Sequence, residues 1–261
     1  MAVHELTEYL ESIAPIQLQE AYDNSGLIVG NPAMEIKGVL CSLDCTEAVI
    51  QEAIDLKCNV IVSHHPILFY GLKKINGSHY VEKALIKAIK NDIALYAIHT
   101  NLDNVLTHGV NEKIAQRIGL KNLEILKPKD TQTMIGSGVL GEFKKPVASY
   151  DFLDSLKVRM QCHTIRHSAI IKPMVQRIAV CGGAGSFLIR EAISKGADLF
   201  LTADLKYHEF FESNDQIILA DIGHFESEQF TIELLYGLIS QKFRNFATHC
   251  TKINTNPIQY Y

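Results

Sequence analysis

The chain has 261 residues, of which 47% are hydrophobic and 21% are charged, with a formal net charge of −4. This composition is typical of a globular protein with a sizeable core in one large or two small domains, and the acidic balance argues against nucleic acid as a general partner. Every apolar run is shorter than the ~18 residues that span a bilayer, the N-terminus does not resemble a signal peptide, and the six cysteines form no Cys-x-x-Cys pair. We therefore expect a cytoplasmic protein with reduced thiols and no membrane partner.

Apolar periodicity in the first half predicts helices that alternate with buried strands. Helices are expected at residues 4–13, 47–57, 80–90 and 111–118, and strands at the end of the turn 22–30 and at 38–43, 59–63 and 93–98. Thr46 is a suitable N-cap for the second helix. The polar stretch 121–131 is the expected boundary between two domains, 1–125 and 126–261.

The second half shows the same alternation. Strands are expected at residues 134–143, 162–171, 176–181, 197–201 and 216–222, helices at 149–160, 187–195 and 229–242, and an edge strand after residue 245. The glycine-rich segment 182–186 lies between a strand and a helix. Its glycines either form a tight turn or let backbone donors hold a phosphate.

An internal repeat relates the two halves. Residues 52–63 align without a gap with residues 191–202, at an offset of 139. We therefore predict an α/β fold of two pseudo-repeated strand–helix halves, with right-handed crossovers and largely parallel sheets. Because such sheets bind ligands beyond the carboxyl ends of their strands, we expect a metal cluster at these ends, between the halves.

Side chains that bind metals stand where the predicted strands end. The candidates are His64 and His65 after strand 59–63, His99 and Asp103 after strand 93–98, and His224 and Glu228 after strand 216–222. The last two pairs share the spacing His-x-x-x-acid at an offset of 125, which on a helix puts both side chains on one face. A His-His pair alone is equally compatible with a structural role, but three such strand ends predict a metal cluster.

The ligand chemistry of this cluster points to a pair of ions. Its three imidazoles and two carboxylates are too many for one closed tetrahedral zinc site and suit two divalent ions per chain. The ligands are His64, His65, Asp103, His224 and Glu228. Nitrogen and oxygen ligands without thiolate favour zinc, iron, manganese or nickel. Two such ions lower the pKa of a bridging water, so the expected reaction is hydrolysis by a metal-bridged hydroxide.

The roles of several further polar residues stay open. His99 is either a sixth ligand or an outer residue that orients a ligand. His208 is either a proton donor at the same cleft or a plain loop residue, and Glu226, Glu228 and His208 are all candidates for moving protons. We expect the turn Asp23-Asn-Ser25 to be satisfied mainly by its own local hydrogen bonds.

Six motifs, in this order and spacing, carry a family resemblance over the whole chain. They are Asp23-Asn-Ser-Gly-Leu27, Ser63-His-His-Pro66, His99-Thr-Asn-Leu-Asp103, Gly182-Gly-Ala-Gly-Ser186, Thr202-Ala-Asp-Leu-Lys-Tyr-His208 and Gly223-His-Phe-Glu-Ser-Glu228. Together they resemble the family named after the yeast NGG-one-interacting factor three, whose members are often labelled GTP cyclohydrolase I type 2 homologs. Ala203 departs from the glycine that this family often has, and the stretch 121–131 leaves no room for the extra domain that some members carry in the middle of the chain. The resemblance implies a dinuclear metal site at the five ligand positions and a ring-shaped homohexamer.

Three functions are compatible with these motifs. The first is a metal-dependent hydrolase, which the family label directs towards ring opening of a nucleotide such as GTP as the small-molecule substrate. The alternative is a non-catalytic metal-binding or protein-interaction scaffold that forms a ring, in line with the naming of the family after a transcription-factor partner. The third is a clamp around DNA, and the acidic balance without a Lys/Arg stripe weighs against it.

Overall fold

The structure is a computed structural model that describes residues 1–129 and 134–261. Up to residue 129 the elements are α1 (Val3–Ile13), β1 (Gly26–Val29), β2 (Gly38–Ser42), α2 (Glu47–Asp55), β3 (Val60–Ser63), α3 (Tyr80–Lys90), β4 (Ala94–Ala97), α4 (Thr100–Asp103), α5 (Val110–Ile118) and β5 (Lys121–Pro128). From residue 134 they are β6 (Gly136–Ala148), α6 (Ser149–Met160), β7 (Arg166–His167), β8 (Met174–Ala184), α7 (Ile189–Ser194), β9 (Leu199–Ala203), β10 (Ile218–Asp221), α8 (His224–Glu228), α9 (Thr231–Lys242) and β11 (Ala247–Cys250). Short 3-10 helices occur at Ile16–Leu18, Ser186–Leu188 and Tyr207–Ser213.

The chain divides into two compact units. The first comprises Met1–Leu102 and Thr231–Gln259, and the second comprises Asp103–Phe230 and Tyr260–Tyr261. In residues 1–129 and 134–261, every helix is too short to span a membrane, because the longest, α6 and α9, have 12 residues each.

The first unit contains a five-stranded sheet in the order β1-β4-β3-β2-β11. All its neighbours pair in parallel except β1, which runs antiparallel to β4. β2, β3 and β4 are buried along their whole length, as expected for strands that read as continuous apolar runs. Helices α2 and α3 contribute Ile50 and Leu85 to the core, which includes Leu40, Ile61 and Leu95 of the strands.

The second unit contains a six-stranded sheet in the order β5-β6-β8-β9-β10-β7. Its centre, β8-β9-β10, is parallel, whereas the pairs β5–β6, β6–β8 and β10–β7 are antiparallel. Phe200 and Leu219 of the parallel strands lie in one core cluster with Ile189 and Ala192 of α7. Each unit therefore has three neighbouring parallel strands, β2-β3-β4 in the first unit and β8-β9-β10 in the second. Within each of these triplets, helices or helical turns connect one strand to the next.

These observations confirm an α/β fold with two sheets, and they correct three details. The first sheet is largely parallel as predicted, but the second is mixed because β5 and β6 form an antiparallel pair that extends onto β8. The predicted strand 162–171 is reduced to the two residues of β7. The predicted helix 187–195 begins as the 3-10 turn Ser186–Leu188 and becomes α-helical only at Ile189.

The boundary predicted at residues 121–131 differs from the observed division. Residues Lys121–Pro128 form the strand β5, which pairs with β6 inside the second unit. The described units instead separate after Leu102 and after Phe230, because α9 and β11 belong to the first unit and β11 pairs with β2. The predicted domains 1–125 and 126–261 therefore do not coincide with these units, and residues 130 and 131 of the predicted boundary lie outside the described residues.

Candidate metal centre

Three histidines of the first unit lie at the carboxyl ends of two neighbouring strands. β3 and β4 are parallel, with Ser63 opposite Ala97, so both strands end at the same edge of the sheet. His64 and His65 directly follow β3, and His99 stands two residues beyond β4. The backbone amide of His65 still donates to Leu43 O at 2.9 Å, which keeps the chain beside β2 after the strand ends.

The three imidazoles form a compact cluster. Their ring centroids are 5.0 Å apart for His64 and His65, 5.2 Å for His64 and His99, and 5.3 Å for His65 and His99. One ligand nitrogen from each ring lies within 4.8 Å of the other two. Imidazoles at this spacing are close enough to share one ion or to hold two neighbouring ions.

Outer oxygen atoms orient the first two of these rings. His64 Nδ1 donates to the backbone carbonyl of Ile98 at 2.8 Å, and His65 Nδ1 donates to Asp44 Oδ1 at 2.8 Å. A carbonyl oxygen only accepts, so this contact places the proton of His64 on Nδ1 and the lone pair of the neutral ring on Nε2. This is the arrangement that metal-binding histidines adopt, and it directs Nε2 as the ligand nitrogen.

Asp23 orients His99 in the same way. His99 Nδ1 donates to Asp23 Oδ1 at 2.7 Å, and the second oxygen of Asp23 accepts from the backbone amide of Thr100 at 3.0 Å and from the Thr100 hydroxyl. Burial acts to raise the pKa of the Asp23 carboxyl, but hydrogen bonds from His99, Thr100 and Asn24 outweigh it and hold this pKa well below its ordinary value. Asp23 therefore remains a carboxylate at neutral pH.

The second unit has a matching arrangement at its own parallel strands. Asp204 follows β9, and α8 begins at His224 shortly after β10. His224 Nδ1 lies 2.6 Å from Asp204 Oδ2, and His224 Nε2 lies 3.0 Å from Glu228 Oε2. The predicted placement of His224 and Glu228 on one face of a helical turn is therefore observed.

The carboxylates that flank His224 govern its charge. Burial acts to lower the pKa of His224, but Glu228 and Asp204 outweigh it and raise this pKa to about 11. The hydrogen bond from His224 in turn lowers the pKa of Asp204. Without a metal ion, the His224 ring is a positively charged imidazolium between the carboxylates of Asp204 and Glu228. A bound cation could replace the ring proton and balance the same negative charges.

The glycine-rich segment, predicted to lie between a strand and a helix, begins inside β8, and its Gly183 makes room for Glu228. Gly183 has φ +62°, and a Cβ at this position would lie 2.4 Å from Glu228 Oε1. Its backbone amide donates to Ser227 Oγ at 3.0 Å. Of the two sequence interpretations, a tight turn and a phosphate loop, the first requires a positive φ, which Gly183 has, but Gly182, Gly183 and Ala184 form the end of β8 rather than a turn.

Asp103 and Glu228 approach the same part of β8. Burial raises the pKa of the Cys181 thiol first, and the nearby charges of Asp103 and Glu228 raise it further. The backbone of Asp103 is held by Asn111, whose Nδ2 donates to Asp103 O at 3.0 Å and whose Oδ1 accepts from Gly182 N at 2.9 Å. The second unit thus collects two acidic side chains and His224 beside one strand.

The predicted site residues accordingly fall into one group in each unit. His64 and His65 cluster with His99 in the first unit, and Asp103, His224 and Glu228 lie in the second. His208 is exposed on the 3-10 helix Tyr207–Ser213 and packs against Tyr207 and Phe211.

Sequence reasoning missed the three carboxylates that orient the histidines. They are Asp23, Asp44 and Asp204. Asp44 and Asp204 stand one or two residues beyond a strand of the parallel triplets, at the same sheet edges as the histidines. That position is the signal that would have found them. Asp23 gave a weaker signal, because its turn also makes the expected local bonds, such as Asn24 N to Asp23 Oδ1 at 2.7 Å.

The donor set fits the metals expected from the sequence. Imidazole and carboxylate groups without an ionised thiolate suit zinc, iron, manganese or nickel. The Cys181 thiol near Asp103 and Glu228 is buried with a raised pKa and so is kept protonated.

Known proteins resemble the chain over its full length. A GTP cyclohydrolase 1 type 2 homolog from Clostridium acetobutylicum is 33% identical over 257 residues, which cover 98% of this chain and 94% of the relative. A GTP cyclohydrolase 1 type 2 homolog from Campylobacter jejuni is 30% identical over 266 residues and covers 100% of both chains. Among solved structures, the Staphylococcus aureus hypothetical protein SA1388 matches with a TM-score of 0.92 at 30% identity, covering 100% of this chain and 99% of that protein.

A family model spans the same range. The model described as Duf34/NIF3 (NGG1p interacting factor 3) matches residues 1–257. The resemblance expected from the six motifs is thereby confirmed, and this chain belongs to the Duf34/NIF3 family.

Proposed function

We propose that the protein binds two divalent metal ions per chain through His64, His65, Asp103, His224 and Glu228, and that it is a metal-dependent hydrolase. The observation that carries the proposal is the orientation of the histidines. In the first unit, Nδ1 of each clustered ring bonds to an oxygen acceptor, a carbonyl or a carboxylate. Such outer contacts accompany metal-binding histidines and prepare Nε2 as the ligand atom.

The chain's own residues define what the site does. Asp44, Asp23 and Asp204 orient the rings, and Gly183 admits the carboxylate of Glu228 beside β8. Divalent ions at these ligands would supply Lewis acidity and make water a better nucleophile near neutral pH. The names of the relatives, GTP cyclohydrolase 1 type 2 homolog, make a nucleotide the first substrate to test.

Metal content is the first test of this proposal. Protein purified without chelator or added metal should contain about two ions per chain by elemental analysis, as expected for a dinuclear site. His65→Ala and Glu228→Ala should each lose metal, because each removes a proposed ligand. His163→Ala, which alters an exposed histidine, serves as the control and should keep it. Equal metal content in all four proteins would contradict the assignment.

A hydrolysis screen then tests the enzymatic part. GTP is followed by phosphoesters and amides, with chelated protein and His65→Ala as controls. Turnover that requires both the metal and His65 supports a hydrolase. Turnover that persists in the chelated protein would overturn it.

The description of the family as an interacting factor supports an alternative, a non-catalytic metal-binding scaffold. This alternative predicts bound metal without turnover on any substrate of the screen. For either function we propose a ring-shaped homohexamer as the assembly. Native mass spectrometry tests it directly, since a hexamer gives six times the mass of one chain and a monomer or dimer would exclude it.

A further inference from the structure

The C-terminal tail beyond β11 reaches the polar residues that orient a candidate metal ligand. The tail leaves the sheet at Thr251, whose amide donates to Cys41 O at 2.9 Å. Glu52 of α2 then holds it, since its carboxylate accepts from the Thr251 hydroxyl and from the amide of Lys252 at 2.8 Å. These contacts fix the start of the tail on the first unit.

Four residues later the tail makes a contact of a different kind. Thr255 Oγ1 donates to Asp44 Oδ2 at 2.5 Å, and Asp44 Oδ1 accepts from His65 Nδ1 at 2.8 Å. The two oxygens of one carboxylate thus have different partners, the tail at Oδ2 and the candidate ligand at Oδ1. Thr255 and Asp44 are 211 positions apart in the chain, so only folding joins them.

The contact from Thr255 adds a hydrogen bond at the second oxygen of the Asp44 carboxylate. A carboxylate bonded at one oxygen can still rotate about its Cβ–Cγ bond, and its side chain is 34% exposed here. A second bond at the other oxygen fixes the plane of the group. A fixed plane keeps Asp44 Oδ1 directed at His65 Nδ1, and the orientation of the imidazole follows.

We propose that Thr255 is a positioning residue for the candidate metal centre and acts through Asp44 on His65. The inference rests on the proposed metal binding by His65 and extends it to a residue of the C-terminal tail. Direct outer partners of a metal ligand change metal affinity about 10- to 100-fold when they are lost. Thr255 is one bond further away, so its loss should weaken affinity about 3- to 10-fold.

A purely structural role for Thr255 makes a different prediction. In that case the hydroxyl only helps to fasten the tail, as the Thr251 hydroxyl does on Glu52. Removal of either hydroxyl would then lower stability to a similar degree and leave the metal ligands alone. Thr251 is therefore the matched control, because it is a threonine of the same tail whose hydroxyl donates to a different carboxylate, that of Glu52 in α2.

The experiment compares Thr255→Val, Thr255→Ser and Thr251→Val in the full chain. Zn²⁺ affinity is measured by competition with a chromophoric chelator, the visible spectrum is recorded after Co²⁺ loading, and thermal unfolding is followed without metal. We expect Thr255→Val to bind Zn²⁺ about 3- to 10-fold more weakly and to shift the Co²⁺ bands, since both report the ligand geometry. Thr255→Ser, which keeps the donor, should restore both. Thr251→Val should change the melting temperature alone.

The outcomes separate this inference from the proposed function. Unchanged Zn²⁺ affinity and Co²⁺ spectrum in Thr255→Val, beside a clear loss in His65→Ala, would overturn the role of Thr255 and leave the metal site intact. Equal effects of Thr255→Val and Thr251→Val on affinity would also overturn it, because they would trace to the tail as a whole. Wild-type protein that binds neither ion would overturn both proposals together.

Discussion

Asp23 binds His99 through a hydrogen bond of 2.7 Å between residues that are 76 positions apart. The aspartate side chain is completely buried, and Thr100 donates to its second oxygen with both its amide and its hydroxyl. A buried carboxylate with this many donors keeps its negative charge. It therefore orients the ring of His99.

We predict that Asp23→Asn weakens metal binding about 10- to 100-fold, as the loss of an outer carboxylate partner does in other metal sites. The amide keeps the size of the side chain but removes the charge that favours a cation nearby. Competition titration with Zn²⁺ measures the change, and circular dichroism verifies the fold. Asp154→Asn, at an exposed position of α6, is the control and should bind like the wild type. Wild-type affinity in Asp23→Asn would contradict the role of the Asp23–His99 pair.

A second prediction concerns the space that Gly183 leaves for Glu228. Gly183→Ala adds a Cβ 2.4 Å from Glu228 Oε1 at φ +62°, so the backbone or α8 must move. We expect a loss of about 1–3 kcal/mol in the free energy of unfolding, together with loss of metal from the site that includes Glu228.

Gly237→Ala is the matched control for this substitution. Gly237 lies inside α9, and a Cβ there would have no neighbour within 4 Å. Alanine favours a helix interior over glycine by about 0.5–1 kcal/mol, so this variant should be slightly more stable than the wild type. Urea unfolding compares the two variants. Equal stability would show that Gly183 is not sterically required.

A third prediction concerns acid stability at Asp198. Its carboxylate accepts from Lys172 Nζ at 2.7 Å and from the amides of Gln176 and Arg177 at 2.8 and 2.9 Å. Burial acts to raise the pKa of Asp198, but these bonds outweigh it and lower the pKa below its ordinary value. A carboxyl whose pKa is lower in the folded state stabilises the fold above its unfolded pKa, and the effect is lost as the pH falls through the folded pKa.

Asp198→Asn should accordingly cost about 1–2 kcal/mol at pH 7, because the charged acceptor is lost. The difference from the wild type should shrink as the pH is lowered towards ~3, below the ordinary carboxyl value of ~4. Urea unfolding across this range measures it, with Asp215→Asn at an exposed position as the control. A difference that stays constant with pH would contradict the charge-based account.

The fourth prediction concerns Asn101, which connects the first helix to the histidine loop. It is completely buried, its Nδ2 donates to Ala14 O at 2.7 Å, and its Oδ1 accepts from His99 N at 2.9 Å and Ser25 Oγ at 2.9 Å. Asn101→Leu removes one hydrogen-bond partner from each of these three groups and should cost about 2–4 kcal/mol of unfolding free energy. Asn245→Leu, at an exposed site, should change it by less than about 0.5 kcal/mol. A similar cost in both variants would contradict this account.

Local patterns were sufficient to predict most helices and the candidate ligands. Tyr80–Lys90 and Ser149–Met160 are helices with the predicted bounds. In both, the apolar residues recur at helical spacing from the first to the last turn. His64 and His65 were recognisable as candidates because a buried apolar strand stops at them. The i, i+4 spacing of His224 and Glu228 is likewise a local property, and it became a contact of 3.0 Å.

Strand β5 shows where such patterns fail. Residues Lys121–Pro128 are mostly exposed at the edge of the second sheet, so their sequence is polar and suggested a linker. An edge strand gains its hydrogen bonds from a single neighbour, and its side chains can stay in water. Pairing with β6 decides its structure, since its buried apolar residues Ile125 and Leu126 form too short a run to predict a strand.

The residues that orient the histidines depend entirely on long-range folding. Asp44 meets His65 across 21 positions, and Thr255 meets Asp44 across 211. A hydrogen bond requires distances near 3 Å and defined angles, which neither composition nor spacing specifies for distant segments. The ligand types and their places at strand ends are therefore readable from residue order, whereas the ring orientations follow from how β2, β3, β4 and the C-terminal tail pack together.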